Sequence, residues 1–262
     1  MKDGGVKALA DEPRSVAAVY EDGVIAEGYL QKRLRFSWQR LLHRRQVAVL
    51  RDSIRRYRPQ SVLEVAPGPA RLSAELDGIA RGVMVENSAS MAAIARARLK
   101  QSGREKSWTV LEGDAFGLEN VVGPAEFELA YTFRFIRHFH DSDRKRLYAQ
   151  LRRRLTARGI LIFDVVNATV RQQIDARQGG QAAGEIAIYD AVYTPRSFAE
   201  EMRDNGFEVV AFEPVLRHFR AQSLLSYKLD DVARWLVAPA VSLLEGIPSS
   251  DPLEWVAICR RS

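Results

Sequence analysis

Three acids stand where this chain could bring them to one ligand. Glu64 lies in an apolar run, SVLEV (61–65), that leads into Ala66-Pro67-Gly68-Pro69-Ala70. Small residues at 66, 68 and 70 let backbone approach a ligand closely, and the two prolines stiffen the turn. Glu86, 22 residues further on, ends the run VMVE (83–86). A carboxylate at such a strand end can accept from both hydroxyls of a ribose. Asp114 sits in Gly113-Asp114-Ala115-Phe116, directly after WTVLE (108–112). An acid followed by small and aromatic residues suits the edge and face of an adenine ring. Taken singly, each signal is weak, since tight turns and solvated acids are common at strand ends. Their occurrence in order, after three successive strands, points to a bound ligand. A fourth run, FELAYT (127–132), leads into YTFRFIRHFH, which sets Arg134, Arg137, His138 and His140 close together. An imidazole titrates near neutrality, so His138 is a candidate base or orienting group. Its bland alternative is packing under the sheet edge or capping the next helix. Arg134 suits an anionic substrate group. Asp164 and Asn167 follow at the end of a fifth run, GILIFDVV (159–166).

These positions require a scaffold of strands with helices between them. Helical patterns are read over 71–80, 88–101, 141–155, 195–205 and 223–245, with further strands at FEVVAFE (207–213) and EWVAIC (254–259). Alternation of this kind predicts βαβ units and a mostly parallel, doubly wound sheet. The apolar first and fifth runs fit central strands covered on both faces. From about Ser15 to Arg56 the pattern is helical, broken near Asp22-Gly23 and Gly28. Within it, Lys32–Arg58 holds ten Lys or Arg against the single acid Asp52, a net +9, whereas the whole chain carries +6. One amphipathic helix, with its apolar stripe on the body and its arginines in water, accounts for both features. The connection 168–194 is too long for a plain loop and reads as a substrate lid, with Tyr189, Asp190 and Tyr193 in it.

LEVAPGPARLSAEL resembles the first motif of class I S-adenosylmethionine-dependent methyltransferases, and VMVENSASMAAIARARL their second strand with its helix. LEGDAFGL resembles the segment after the third strand, and AYTFRFIRHFHDSDRKRLYAQLRRRLTARGILIFDVVN the block from the fourth strand to the fifth. VYTPRSFAEEMRDNGFEVV resembles the later helix and sixth strand, so the resemblance spans roughly 61–215. Ala70 stands where the motif has its third glycine, and Arg158 where a proline precedes Gly159. The resemblance implies a Rossmann-like, seven-stranded sheet with an antiparallel last strand. It also implies N-terminal helices (1–57) covering the site of a methyltransferase domain (58–262) with cap insertions at 168–194 and 217–252. Its implied cofactor is S-adenosylmethionine. Carried over by position, Glu64, Ala66 and Gly68 would meet the methionine end and Glu86 the ribose. Asn87, Met91, Asp114, Ala115 and Phe116 would surround the adenine, although a helical Met is more often core filler. Tyr131, Thr132 and Phe133 would line the methionine side. His138 and Arg134 are the catalytic candidates, and Tyr20, Tyr29, Asn167 and Tyr193 the substrate-side ones.

The rest of the sequence narrows the class. Of 262 residues 47% are hydrophobic and 27% charged, which suits a globular chain rather than a disordered one. A single cysteine, Cys259, excludes a disulfide framework and a cysteine zinc cage, and no spacing suggests a metal site. The longest apolar runs fall far short of the ~20 residues that span a bilayer, and the first residues lack the apolar core of a signal peptide. A cytoplasmic protein is the expectation. The expected acceptor is a small molecule, methylated on O, N or C. The alternatives are an RNA methyltransferase that holds phosphates with the basic 32–58 stretch, and a non-catalytic binding protein of the same fold. The apolar 223–245 helix would cap the pocket, form a homodimer interface or touch a lipid-like substrate.

Overall fold

The computed structural model describes residues 23–177, 189–249 and 251–262. Helices α1 (Gly23–Arg33) and α2 (Ser37–Tyr57) precede the sheet. The sheet strands are β1 (Ser61–Val65), β2 (Arg81–Glu86), β3 (Trp108–Glu112), β4 (Phe127–Thr132) and β5 (Leu155–Asn167). They continue as β6 (Val192–Tyr193), β7 (Phe207–Val215) and β8 (Glu254–Arg261). Their spatial order is β3-β2-β1-β4-β5-β8-β7, with the two-residue β6 added beside the end of β5. Every pairing is parallel except those of β8, which runs antiparallel to both β5 and β7. The doubly wound sheet with an antiparallel last strand is therefore as the sequence implies, with β6 as an eighth strand.

The intervening helices are α3 (Ala89–Gln101), α4 (Leu118–Val122), α5 (Asp141–Arg154), α6 (Ala168–Arg177), α7 (Pro195–Asp204) and α8 (Phe219–Gly246). All five residues of β1 are buried, as its continuous apolar pattern requires of a central strand. Two cores lie on the two faces of the sheet. One packs α2 and α3 with Met84, Tyr131 and Ile162; the other packs α5 and α7 with Leu63, Phe163 and Cys259. Cys259 is fully buried, which pushes its thiol pKa far up.

Three expectations need correction. The helix read over 71–80 is a single 3-10 turn, Ser73–Glu75. Asp77-Gly78 breaks the chain there, with Gly78 at φ +77°, and Ser73 is tied from within to Glu64 and Tyr131. The basic stretch is two helices, not one, because the chain breaks between Arg33 and Ser37. There the Ser37 N–H and Oγ both donate to the buried carboxylate of Asp230, at 2.5 Å each, fixing the start of α2 against α8. The helix over 223–245 is longer, Phe219–Gly246, and is kinked at Ala233, whose φ/ψ of −139°/43° is non-helical. Among the described residues none of 217–252 lines the main cleft; α8 lies against α2 instead.

Candidate functional site

The carboxyl ends of β1, β2, β3 and β4 open into one cleft of about 360 Å³, within the range of small-ligand sites. It lies where the strand order reverses between β1 and β4, the usual ligand position in open α/β sheets. Thirteen of the candidate residues singled out in the sequence line it: Tyr29, Glu64, Ala66, Gly68, Glu86, Asn87, Met91, Asp114, Ala115, Phe116, Phe133, Arg134 and His138.

The turn after β1 is built for close approach. Ala66, Gly68 and Ala70 all have positive φ, at 53°, 57° and 53°. A Cβ on Gly68 would meet nothing within 4 Å, so the space above that peptide is open. Left-handed non-glycine residues are costly and gather at functional loops. Arg134, at φ 57° just past β4, is another, pinned by its N–H donating to Asp164 Oδ1 at 2.6 Å.

Glu86 binds the turn to the next strand. Its Oε2 accepts from the Gly68 N–H at 2.8 Å and its Oε1 from the Ser88 N–H at 3.0 Å. Burial raises its pKa, and the backbone donors of Ser88, Gly68 and Asn87 oppose that rise. Each oxygen keeps a further lone pair for a ligand hydroxyl. Asp114 Oδ1 accepts from the Phe116 N–H at 2.9 Å, which presents the 114–116 turn to the cleft.

Glu64 is 3% exposed at the floor. Tyr131 Oη donates to its Oε2 at 3.1 Å and Ser73 Oγ donates to the same oxygen. Burial lifts its pKa to about 7, against the pull of those hydroxyls and of Arg71. Arg71 is buried beside it and also lines the cleft. One guanidinium nitrogen donates to His43 Nδ1 at 2.6 Å and another to Gln46 Oε1 at 2.8 Å, both from α2. Nδ1 of His43 accepts, so its Nε2–H donates to Glu75, at 2.6 Å. Desolvation and the neighbouring Arg71 hold His43 below the ordinary histidine range, which keeps it neutral for this role.

At the mouth, Nδ1 of His138 lies 3.0 Å from the carbonyl oxygen of Tyr189 and 3.1 Å from Asp190 Oδ1. A carbonyl can only accept, so Nδ1 carries the proton and the ring lone pair is on Nε2. Asp190 is held in turn by Arg137, Nε to Oδ1 at 2.7 Å, and by Arg171 at 3.1 Å. Arg137 is buried among three carboxylates, 2.8 Å from Asp164 and 2.7 Å from Glu254 as well. Burial would lower the Arg137 pKa, but these carboxylates outweigh it and raise it. Burial would raise that of Asp190, but His138 and Arg137 outweigh it and hold it well below the carboxylate range. Phe116, Phe135 and Phe139 form an edge-to-face wall beside His138, with ring centres 5.3 and 5.0 Å apart.

Four candidates fall outside the cleft. Tyr131 and Thr132 are buried within β4, and Tyr131 packs on Trp108 and supports Glu64 from behind; the cleft is met by the residues past the strand end, 133–135. Asn167 is buried and ties β5 to the entry of β8, its Nδ2 donating to the Pro252 carbonyl at 2.9 Å. Tyr193 Oη donates to Glu201 at 2.8 Å, in a cluster with Arg144 and Tyr148. Tyr20 lies outside the described residues. Among the described residues no group of three or more His, Cys, Asp or Glu could hold a metal ion. Sequence reasoning missed Arg71, Phe135 and Phe139. Arg71 was counted into a helix that does not form, and only its position directly behind the small-residue turn could have marked it.

Residues 62–159 match the family model of a methyltransferase domain. Among curated proteins none matches the chain. Solved structures that resemble it share the fold at low identity. Magnesium protoporphyrin IX methyltransferase (ChlM) from Synechocystis, solved with bound SAH, is 12% identical with a TM-score of 0.63, covering 94% of this chain and 98% of that one. The 4+2 cyclase SpnF is 18% identical with a TM-score of 0.62, covering 95% and 96%. The O-methyltransferase NcsB1 from neocarzinostatin biosynthesis, in complex with S-adenosylmethionine and a naphthoic acid, is 13% identical with a TM-score of 0.52. That match covers 78% of this chain and 49% of NcsB1. The fold thus carries more than one named chemistry, and the residues of the cleft must decide between them.

Proposed function

We propose, on the premise that residues 62–159 form a methyltransferase domain in a class I fold, that the chain methylates a hydroxyl-bearing, largely apolar small molecule with S-adenosylmethionine as donor. The observation that carries this reading is the convergence of Glu64, Glu86 and Asp114 on one cleft, with the His138–Asp190 pair at its mouth. The residues fit the cofactor. Glu86 keeps lone pairs for the ribose hydroxyls while its backbone bonds hold it in place. Asp114 and the Ala115 N–H would take the adenine edge, with Asn87, Met91 and Phe116 lining the same part of the cleft. The open space over Gly68 would admit the methionine chain, with Glu64 placed to hold its ammonium and Arg71 its carboxylate.

Bound there, S-adenosylmethionine supplies an electrophilic methyl on its sulfonium. The protein's part is positioning and proton transfer. Phe135 and Phe139 would hold the apolar body of the acceptor and exclude water, with Phe116 packed edge-on against Phe139 on the adenine side. His138, with its lone pair on Nε2, would take the acceptor's hydroxyl proton as the oxygen accepts the methyl. Asp190 fixes the ring's tautomer and stabilises the imidazolium that results. Tyr29, from α1, lies over the same cleft and serves as its cover. Among the described residues the arginines of α2 do not line the cleft, which favours a small acceptor over RNA.

Calorimetric titration with S-adenosylmethionine and its demethylated product tests the reading. Micromolar-range binding of both is expected, with a stabilisation of ~2.7 kcal/mol at a hundredfold excess over Kd. Absence of both heat and thermal shift refutes it.

A further inference from the structure

The second half of α8 buries Val237, Val241 and Glu245 against the body. The opposite side of the same helix is bare. Trp235, Leu236 and Leu243 are 75%, 54% and 74% exposed, and Val232, beside the kink, is 85% exposed. Past the kink, Trp235, Leu236 and Leu243 follow helical spacing on the side away from Val237, Val241 and Glu245, with no charge between 235 and 243, and exposed Leu229 and Val232 precede the kink. Isolated apolar side chains on a surface need no explanation, but a continuous stripe does. Cations rim it. Lys228 and Arg234 of α8 are exposed, and exposed Arg44 of α2 donates to Ser242 Oγ at 3.2 Å, one residue from Leu243. The acid on the rim, Asp231, is paired with Arg35 at 3.6 Å.

We propose that this face of α8, with the adjoining flank of α2, docks on an anionic lipid bilayer. Trp235, Leu236 and Leu243 enter the boundary between headgroups and acyl chains, while Lys228, Arg234 and Arg44 meet lipid phosphates. Charge complementarity selects this occupant. A second copy applied through the same face would set the cationic rim against itself. A nucleic acid would satisfy the arginines and leave the aliphatic stripe in water. Among the described residues no helix is long and apolar enough to cross a membrane, so the contact is in the plane of the surface.

Cosedimentation of the full chain with vesicles tests the proposal, using phosphatidylcholine alone and an equimolar mixture with phosphatidylglycerol. Partitioning onto the acidic vesicles should be at least about tenfold stronger than onto the neutral ones, and should weaken with salt. Trp235→Ser with Leu243→Ser should abolish it, and Arg44→Glu with Arg234→Glu should lower it by about tenfold or more. Both double variants should keep the parent's thermal midpoint and cofactor affinity, since all four side chains are exposed and lie outside the cleft. Equal binding to both vesicles, or none, overturns the proposal. So does a dimer in sedimentation velocity that the Trp235→Ser, Leu243→Ser variant dissolves while vesicles bind neither form.

Discussion

Replacing Glu64 by Gln should strengthen the fold and weaken the site at once. The Glu64 carboxyl is buried and titrates at about 7, against 4.5 for an unburied glutamic acid. A folded pKa above the unfolded one means that the native state binds the extra proton between these two values. Stability therefore falls as pH rises from about 4.5 to about 7 and stays lowered above that. The difference is worth about 3 kcal/mol, and it already includes the attraction of Arg71. Glutamine keeps an oxygen to accept from Ser73 and Tyr131 and carries no charge to desolvate. The variant should gain up to about 3 kcal/mol in mildly alkaline buffer and nothing below pH ~4.5. If Glu64 holds the cofactor's ammonium, the lost charge-assisted bond costs ~1.5–3 kcal/mol, or roughly ten- to a hundredfold in Kd. Urea unfolding across this pH range, with calorimetry on the same samples, separates the two effects. A stability difference that does not change with pH refutes the buried ionised carboxylate. A gain in stability with unchanged Kd refutes its place in the site.

His138→Ala should lower kcat by roughly 10²–10⁴ with cofactor Kd unchanged, and Asp190→Asn should lower it too by releasing the ring; single-turnover methyl transfer checks both. Arg137→Met should cost about 3–5 kcal/mol by leaving Asp164, Asp190 and Glu254 without their shared cation, as measured by denaturant unfolding at neutral pH. Acid should narrow that gap, because the depressed Asp190 pKa contributes stability above the ordinary carboxylate range and loses it as pH falls through the folded value. Trp38→Ala should cost about 2 kcal/mol, less than loss of a fully buried ring. Trp38 is half-buried against Phe219 and Tyr227, and thermal melts give the number.

The parts of this site that can be read in the sequence are those set by strand ends. Glu64, Glu86 and Asp114 stand at or just past β1, β2 and β3, and an apolar run with an acid at its end marks both the element and the address. Tyr131 and Thr132 fall outside the cleft because its lining at this strand end lies past β4, and a strand's last residues still belong to the core. Arg71 depends on His43 and Gln46, 28 and 25 positions away, a distance that no local pattern spans. The helix expected over 71–80 failed for the same kind of reason. Its composition is helical, but Ser73 is claimed by Glu64 and Tyr131, and Asp77-Gly78 stops any further turn from forming. The α8 stripe was legible as apolar, while its direction depends on which side α2 occupies.

Cys259 offers a clock for the opening of one side of the sheet. It lies fully buried in β8, one strand in from the edge strand β7, so it stays covered while β7 and the helices packed on that face stay in place. A thiol reagent reaches it only when the β8-β7 side of the sheet opens. Where reclosure is faster than the reaction, the labelling rate reports the free energy of that opening; at saturating reagent it reports the opening rate itself. The wild-type chain thus carries its own single-site reporter, with no introduced label to disturb the fold it times.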